Sequence, residues 1–243
     1  MSSIREKAGR GDPKAQYELG TRYIRGKGVS KNSRHGVTWL KKAAEAGYSL
    51  AQLDLSWCYY EGRGVKQDHK MATRWARKAA EQGEPTAQYN MYVAYSLGAG
   101  VKEDQERALY WLKKSVAGGN LDAKTELGRY YLEEGKDTRE KRKGIKLLRE
   151  SAEKGDPEAQ WAMGLIYENG WVVRADQDKS LEWYRKAARK GDPMAQTALA
   201  MAYLEGELLK KNTRNAVRWL EKAAAQDHTD ALYTLGGLYL VGE

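Results

Sequence analysis

The chain has 243 residues, 41% apolar and 31% charged, with a formal net charge of +9 and one cysteine. Its 8 Trp and 16 Tyr supply too much buriable area for a disordered chain, and no apolar run approaches the ~18 residues of a membrane span. Cys58 alone cannot staple a scaffold, and Met1 to Arg10 carry charge instead of a hydrophobic signal core. As written the protein is expected to be cytoplasmic, or periplasmic had a signal peptide been removed.

From Gly11 onward the chain repeats every thirty-six residues without an insertion. Ala15, Ala51, Ala87, Ala123, Ala159, Ala195 and Ala231 form one column, and Tyr23, Tyr59, Tyr95, Tyr131, Tyr167, Tyr203 and Tyr239 another. Between them run Leu19, Leu55, Met91, Leu127, Met163, Leu199 and Leu235. The spacing i, i+4, i+8 predicts one helix with a single apolar stripe, and small residues such as Gly20, Gly128, Gly164 and Gly236 permit close helix approach. A second helix follows from Val37, Leu40 and Ala44 around Trp39, with Trp75, Trp111, Leu147, Trp183 and Trp219 in the same column.

Turn residues punctuate the same period. Pro13, Pro85, Pro157 and Pro193 directly follow Asp12, Glu84, Asp156 and Asp192, as a capping residue followed by proline at the first helical position would. The glycines just before them, Gly11, Gly83, Gly155 and Gly191, with Gly47 and Gly119 in the same column, end the previous helix in the left-handed conformation. Gly26-Lys27-Gly28, Gly62-Arg63-Gly64 and Gly98-Ala99-Gly100 separate the two helices, and Asn32, Asp68, Asp104, Asp176 and Asn212 are placed to cap the second.

The run from Gly11 to Val29, Gly-Asp-Pro-Lys-Ala-Gln-Tyr-Glu-Leu-Gly-Thr-Arg-Tyr-Ile-Arg-Gly-Lys-Gly-Val, and the close at Trp39-Leu-Lys-Lys-Ala-Ala-Glu-Ala-Gly47 closely resemble the Sel-1-like repeat, a subclass of the tetratricopeptide-like αα solenoids. The resemblance implies an all-α, right-handed superhelical solenoid and a protein-interaction scaffold without a cofactor. It divides the chain into a second helix of a truncated unit at 1–10, six full repeats at 11–46, 47–82, 83–118, 119–154, 155–190 and 191–226, and the first helix of a seventh at 227–243. That last helix, lacking its partner, is expected to mark a trimmed chain or an open surface for self-association. Two inter-helix loops depart from the pattern: Glu134, Lys136 and Asp137 stand for Gly, Gly and Val in the fourth unit, and Glu207-Leu208-Leu209 fill the sixth. Both are expected to take another shape.

Nothing in the sequence converges on chemistry. His35, His69 and His228 occupy different phases with no metal-ligand spacing, and Cys58 has no base partner. The Gly-x-Gly steps recur at the repeat phase and read as turns rather than phosphate cradles. Some cysteine-rich relatives implied by the resemblance act on β-lactams, but they carry a cysteine pair per repeat that this chain lacks. An enzyme, a hydrolase in particular, is therefore not expected, and neither is a small-molecule substrate.

The tetratricopeptide-like alignment implies that three phases of the first helix line a concave groove. Its candidate partner-binding residues are Tyr17, Leu53, Trp57, Tyr60, Tyr89, Val93, Arg129, Trp161, Leu165, Met201 and Tyr233, an apolar and aromatic set with a central arginine of the kind found at interface hot spots. Basic residues, including Lys41-Lys42, Arg77-Lys78 and the run Arg139, Lys141, Arg142, Lys143, Lys146 and Arg149, fall instead on the second helices of the outer wall. The expected function is non-enzymatic binding of another protein in the groove, as a bacterial adaptor or an immunity protein neutralising a cognate toxin. Binding of RNA or an acidic partner on the basic wall is the alternative, with nucleic acid the less expected ligand.

Overall fold

The computed structural model describes residues 2–206 and 208–241, and these form helices joined by short loops with no strand. The first helices of the repeats are α2 (Pro13–Arg25), α4 (Ser49–Glu61), α6 (Pro85–Leu97), α8 (Leu121–Glu133), α10 (Pro157–Asn169), α12 (Pro193–Glu205) and α14 (Thr229–Val241). The second helices are α1 (Ser2–Gly9), α3 (Ser33–Glu45), α5 (His69–Glu81), α7 (Gln105–Ala117), α9 (Thr138–Glu153), α11 (Gln177–Arg189) and α13 (Thr213–Ala224). The architecture is an all-α αα solenoid in two compact units, Met1–Ala123 and Lys124–Glu243. Within each, every helix packs on the one before and the one after.

The helix ends are built as their chemistry requires. Asp12 and Asp192 each accept a bond at 2.7 Å from the backbone N–H three residues on, whereas Glu84, with a longer side chain, makes no cap bond. Asn32, Asp68, Asp104, Asp176 and Asn212 cap the second helices in the same way. The left-handed residue between repeats is glycine at Gly11 and Gly191 but Asp227 at the last position, with φ of 58°.

Each core is a layer of alanines and leucines between helix pairs. In the N-terminal unit Leu40, Ala51 and Leu55 are fully buried in one layer and Ala79, Ala87 and Met91 in the next; in the C-terminal unit Leu148 packs with Met163, Ala187 with Leu199 and Leu220 with Ala231. Two glycines allow α2 and α3 to touch backbone to backbone: a methyl on Gly20 would sit 2.9 Å from the Gly36 carbonyl oxygen. A glutamine column that apolar periodicity does not reveal joins successive repeats. The side-chain amides of Gln16, Gln52, Gln88, Gln160 and Gln196, all buried, donate to the carbonyls of Ala8, Ala44, Ala80, Ala152 and Ala188 at 2.9–3.2 Å. Those carbonyls lie in the last turn of a second helix, where each accepts the N–H of the glycine three residues on at 3.0–3.1 Å, and the glutamine amide occupies the second acceptor site.

The fourth-unit loop does take another shape. It is four residues long, 134–137, against seven in loops such as Gly26–Asn32, because Asp137 caps a helix that begins three residues early at Thr138. In the sixth-unit loop Glu207 lies outside the described residues. A third departure was not expected: in the fifth unit Val172 takes the left-handed conformation, φ 63°, where Gly28, Gly64 and Gly100 stand in other repeats. For a β-branched residue that backbone is strained.

Candidate functional site

With the alanine, leucine and glutamine phases turned into the core, the phases of residues 17, 21 and 24 fall on the other side of the first helices, with Ile24 and Thr125 themselves buried. In the N-terminal unit this side carries an aromatic cluster. Trp57 is 50% exposed and stacks on Tyr60 one turn later, with centroids 6.0 Å apart and planes inclined by 22°. Tyr60 in turn meets the His69 ring edge-on at 5.2 Å. Val93 and the exposed Leu97, both from α6, close a cleft against Trp57, with Ala72 and Ala76 of α5 as its floor.

Tyr17, Leu53 and Tyr89 are half-buried. Tyr17 packs on Tyr48 at 5.2 Å and donates its hydroxyl to the Asp54 carboxylate. Burial, aided by the negative charge of Asp54, pushes the Tyr17 phenol up to about 12, and burial also raises the Asp54 carboxyl. Leu53 packs against the core layer around Ala87, and Tyr89 leans on Tyr92 at 5.6 Å.

In the C-terminal unit Trp161 and Leu165 of α10 face Arg129, Leu132 and Glu133 of α8 across a second cleft. Trp161 is half-buried because it bridges two core layers, while Met201 on α12 and Tyr233 on α14 are 37% and 85% exposed. Arg129 is not a free cation: Glu158 holds its guanidinium at 2.6 Å, and Glu126 and Glu133 lie at 3.7 and 3.9 Å. A partner would meet a neutralised arginine. The strained Val172 lies beside Trp171, 45% exposed, and both line this cleft. Trp171 and Leu97 are absent from the sequence-derived set; Trp171 sits in a loop, where periodicity gives no facing direction.

Lys141 requires a correction. The sequence places it on the outer wall with Arg142 and Lys143, but it lines the cleft beside Glu133. Lys141 stands at the phase of His69, the first residue of a regular second helix, which lines the N-terminal cleft in the same way.

On the second helices much of the positive charge has structural work. Lys42, Lys78, Lys186 and Lys222 lie 4.1–4.5 Å over the rings of Trp39, Trp75, Trp183 and Trp219. Arg77 and Arg149 donate to the hydroxyls of Tyr95 and Tyr167 in the following first helix. The histidines are similarly occupied: His35 accepts from the Trp39 indole N–H at 3.1 Å, and His228 Nδ1 lies 3.2 Å from the Thr197 hydroxyl. Cys58 is buried, and burial followed by the nearby Asp54 charge pushes its thiol up to about 11, away from nucleophilic reactivity.

Comparison with known proteins agrees with this architecture. The Sel1 repeat profile matches at residues 13–48, 49–84, 85–120, 121–156, 157–192 and 193–228. A Sel1 repeat protein from Oxalobacter formigenes is 32% identical with a TM-score of 0.80, over 87% of this chain and 84% of its own. The c5321 protein, a protective antigen of uropathogenic Escherichia coli strains with an SLR fold, is 33% identical with a TM-score of 0.62; this chain covers it over 59% of its length and is itself 98% covered. The immunity protein Pa5087 from Pseudomonas aeruginosa shares the fold at 22% identity and a TM-score of 0.56, over 89% of this chain and 83% of that one. None of the curated proteins matches the chain.

Proposed function

The chain belongs to the Sel1 repeat family, a repeat scaffold typical of protein–protein interaction, and we propose that it binds a partner protein on the open side of its first helices. The observation that carries this reading is the unequal treatment of tryptophan. On the second helices Trp39, Trp75, Trp183 and Trp219 are each covered by a lysine, whereas Trp57 and Trp171 stand half-exposed beside the first-helix clefts. Aromatic area left open next to a cleft is the usual anchor of an interface. The strained Val172 that flanks Trp171 supports the same face, since such strain persists where function rewards it.

The biological role we favour is that of a bacterial adaptor or an immunity protein. Support for the latter is the shared fold with a protein known as an immunity protein, Pa5087, and the half-open aromatic anchors suited to gripping one cognate protein. No described helix is long and apolar enough to cross a membrane, consistent with a free scaffold. The test is capture of a partner from source-cell extract on the immobilised chain. The partner retained by the wild type should be lost on the Trp57→Ala and Trp171→Ala proteins, and retention by both would contradict the assignment.

A further inference from the structure

Charge divides the helices of the C-terminal unit by their order within the repeat. Its second helices, α9, α11 and α13, hold thirteen lysines and arginines against six carboxylates, while α10, α12 and α14 carry carboxylates and no basic residue. The two cations of α8 are both engaged, Lys124 by Glu150 at 2.7 Å and Arg129 by Glu158 at 2.6 Å. Although Lys141 of α9 reaches the cleft beside Glu133, the first helices of this unit, in a chain of net charge +9, present a largely acidic and apolar face.

The positions of these carboxylates sharpen the point. Glu133, Glu168 and Glu205 stand in the last turns of α8, α10 and α12, which contain no basic residue. The C-terminal end of a helix is the negative end of its dipole, so an acid there works against the helix that carries it. The second helices α11 and α13 follow the favourable rule, with Lys186, Arg189 and Lys222 in their last turns. Glu168 accepts the Tyr184 hydroxyl and Glu133 lies 3.9 Å from Arg129 with Lys141 in the same cleft, but the carboxylates of Glu133 and Glu205 remain exposed at the rim of the surface that holds Trp161, Leu165 and Met201.

We propose that the first-helix face of the C-terminal unit takes a cationic amphipathic helix of its partner, resting its apolar residues on Trp161, Leu165 and Met201 and its lysines or arginines over Glu133 and Glu205. This rests on the reading of the first-helix face as the interface. A cation over Glu205 supplies what that helix end lacks, and one over Glu133 adds to its long contact with Arg129. The basic second helices repel the same partner, so the charge pattern selects the face as well as the ligand.

The probe is a labelled synthetic helix of leucine and lysine, about 18 residues long with leucines at i, i+3, i+4 and i+7, titrated into the full chain at physiological ionic strength. Its counterpart carries glutamate in place of lysine. The lysine peptide should bind despite the protein's positive net charge, and Glu133→Lys with Glu205→Lys should weaken it by about tenfold or more. Met201→Asp should weaken it comparably, while Arg142→Glu with Lys143→Glu should not. All five substitutions are at exposed positions, and circular dichroism of each variant checks the fold. If the glutamate peptide binds instead, with sensitivity to Met201→Asp, the cationic partner is overturned and the interface face survives. If neither peptide responds to Met201→Asp, both fall.

Discussion

The side-chain amide of Gln196 donates to the carbonyl of Ala188 at 3.2 Å while its own oxygen accepts from Gln226 at 3.2 Å, tying the end of one repeat to the start of the next. Replacing Gln196 by leucine removes both bonds, leaves the Ala188 carbonyl with the Gly191 N–H at 3.1 Å as its remaining partner, and should cost about 1–3 kcal/mol in urea unfolding. Gln160 makes the same bond to Ala152, but its buried oxygen accepts from no protein group, so Gln160→Leu should cost less. Equal costs would mean that the second bond contributes nothing.

Gly164 and Tyr184 form a matched pair. A methyl on Gly164 would lie 2.3 Å from the Tyr184 ring, so Gly164→Ala should destabilise the protein by about 1–3 kcal/mol. Leucine fills the Tyr184 column at Leu40, Leu112, Leu148 and Leu220, and Tyr184→Leu should therefore recover part of the loss in the double variant. Additive losses in the thermal unfolding of the four proteins would contradict the pairing.

Stability should fall in alkali for two identifiable reasons. The Cys58 thiol is raised from 9.0 to about 11 and the Tyr17 phenol from 10.0 to about 12 in the folded chain, each first by burial. Between the unfolded and folded values the unfolded state has lost the proton that the native state keeps, so stability is full below the lower value and declines as pH rises through the window. Cys58→Ala should flatten the decline over about pH 9–11, and Tyr17→Phe that over about pH 10–12. Denaturant midpoints across this range provide the check.

How much of this was legible follows from what a period can and cannot encode. Alanine, leucine and tyrosine columns at one phase named both the helices and the core, and Asp or Asn at another named the caps, because each of those roles is local to a helix. Exposure of Trp57 and Met201 also follows from phase, since their positions lie off the buried stripe. The glutamine column has the same period but no apolar signal, and its role appears only when the carbonyl of the preceding repeat is in place. The ties of Tyr17 to Tyr48 and Asp54 cross between repeats, and no period within one unit shows them. Lys141 shares the phase of His69, which lines the other cleft, and its place in a run of adjacent basic residues hid that.

Removal of positive charge from the second helices should leave partner binding nearly intact. Arg142, Lys143 and Lys146 are exposed and lie outside the cleft that includes Lys141. Their replacement by glutamate should preserve the helical spectrum and keep partner affinity within about tenfold. Abolished binding with the fold intact would move the interface to the second-helix side and revive an acidic or nucleic-acid ligand.

The most direct measurement is calorimetric titration of the captured partner into the wild type, Trp57→Ala and Trp161→Ala, paired with thermal unfolding of each free protein. Loss of an aromatic anchor should cost about 2 kcal/mol of binding, a roughly thirtyfold weaker Kd. Trp57→Ala should leave the unfolding temperature close to wild type, because that side chain is half-exposed; Trp161→Ala should lower it, because Trp161 also bridges two core layers. Unchanged affinity in both variants would contradict the assignment of the first-helix face as the binding surface.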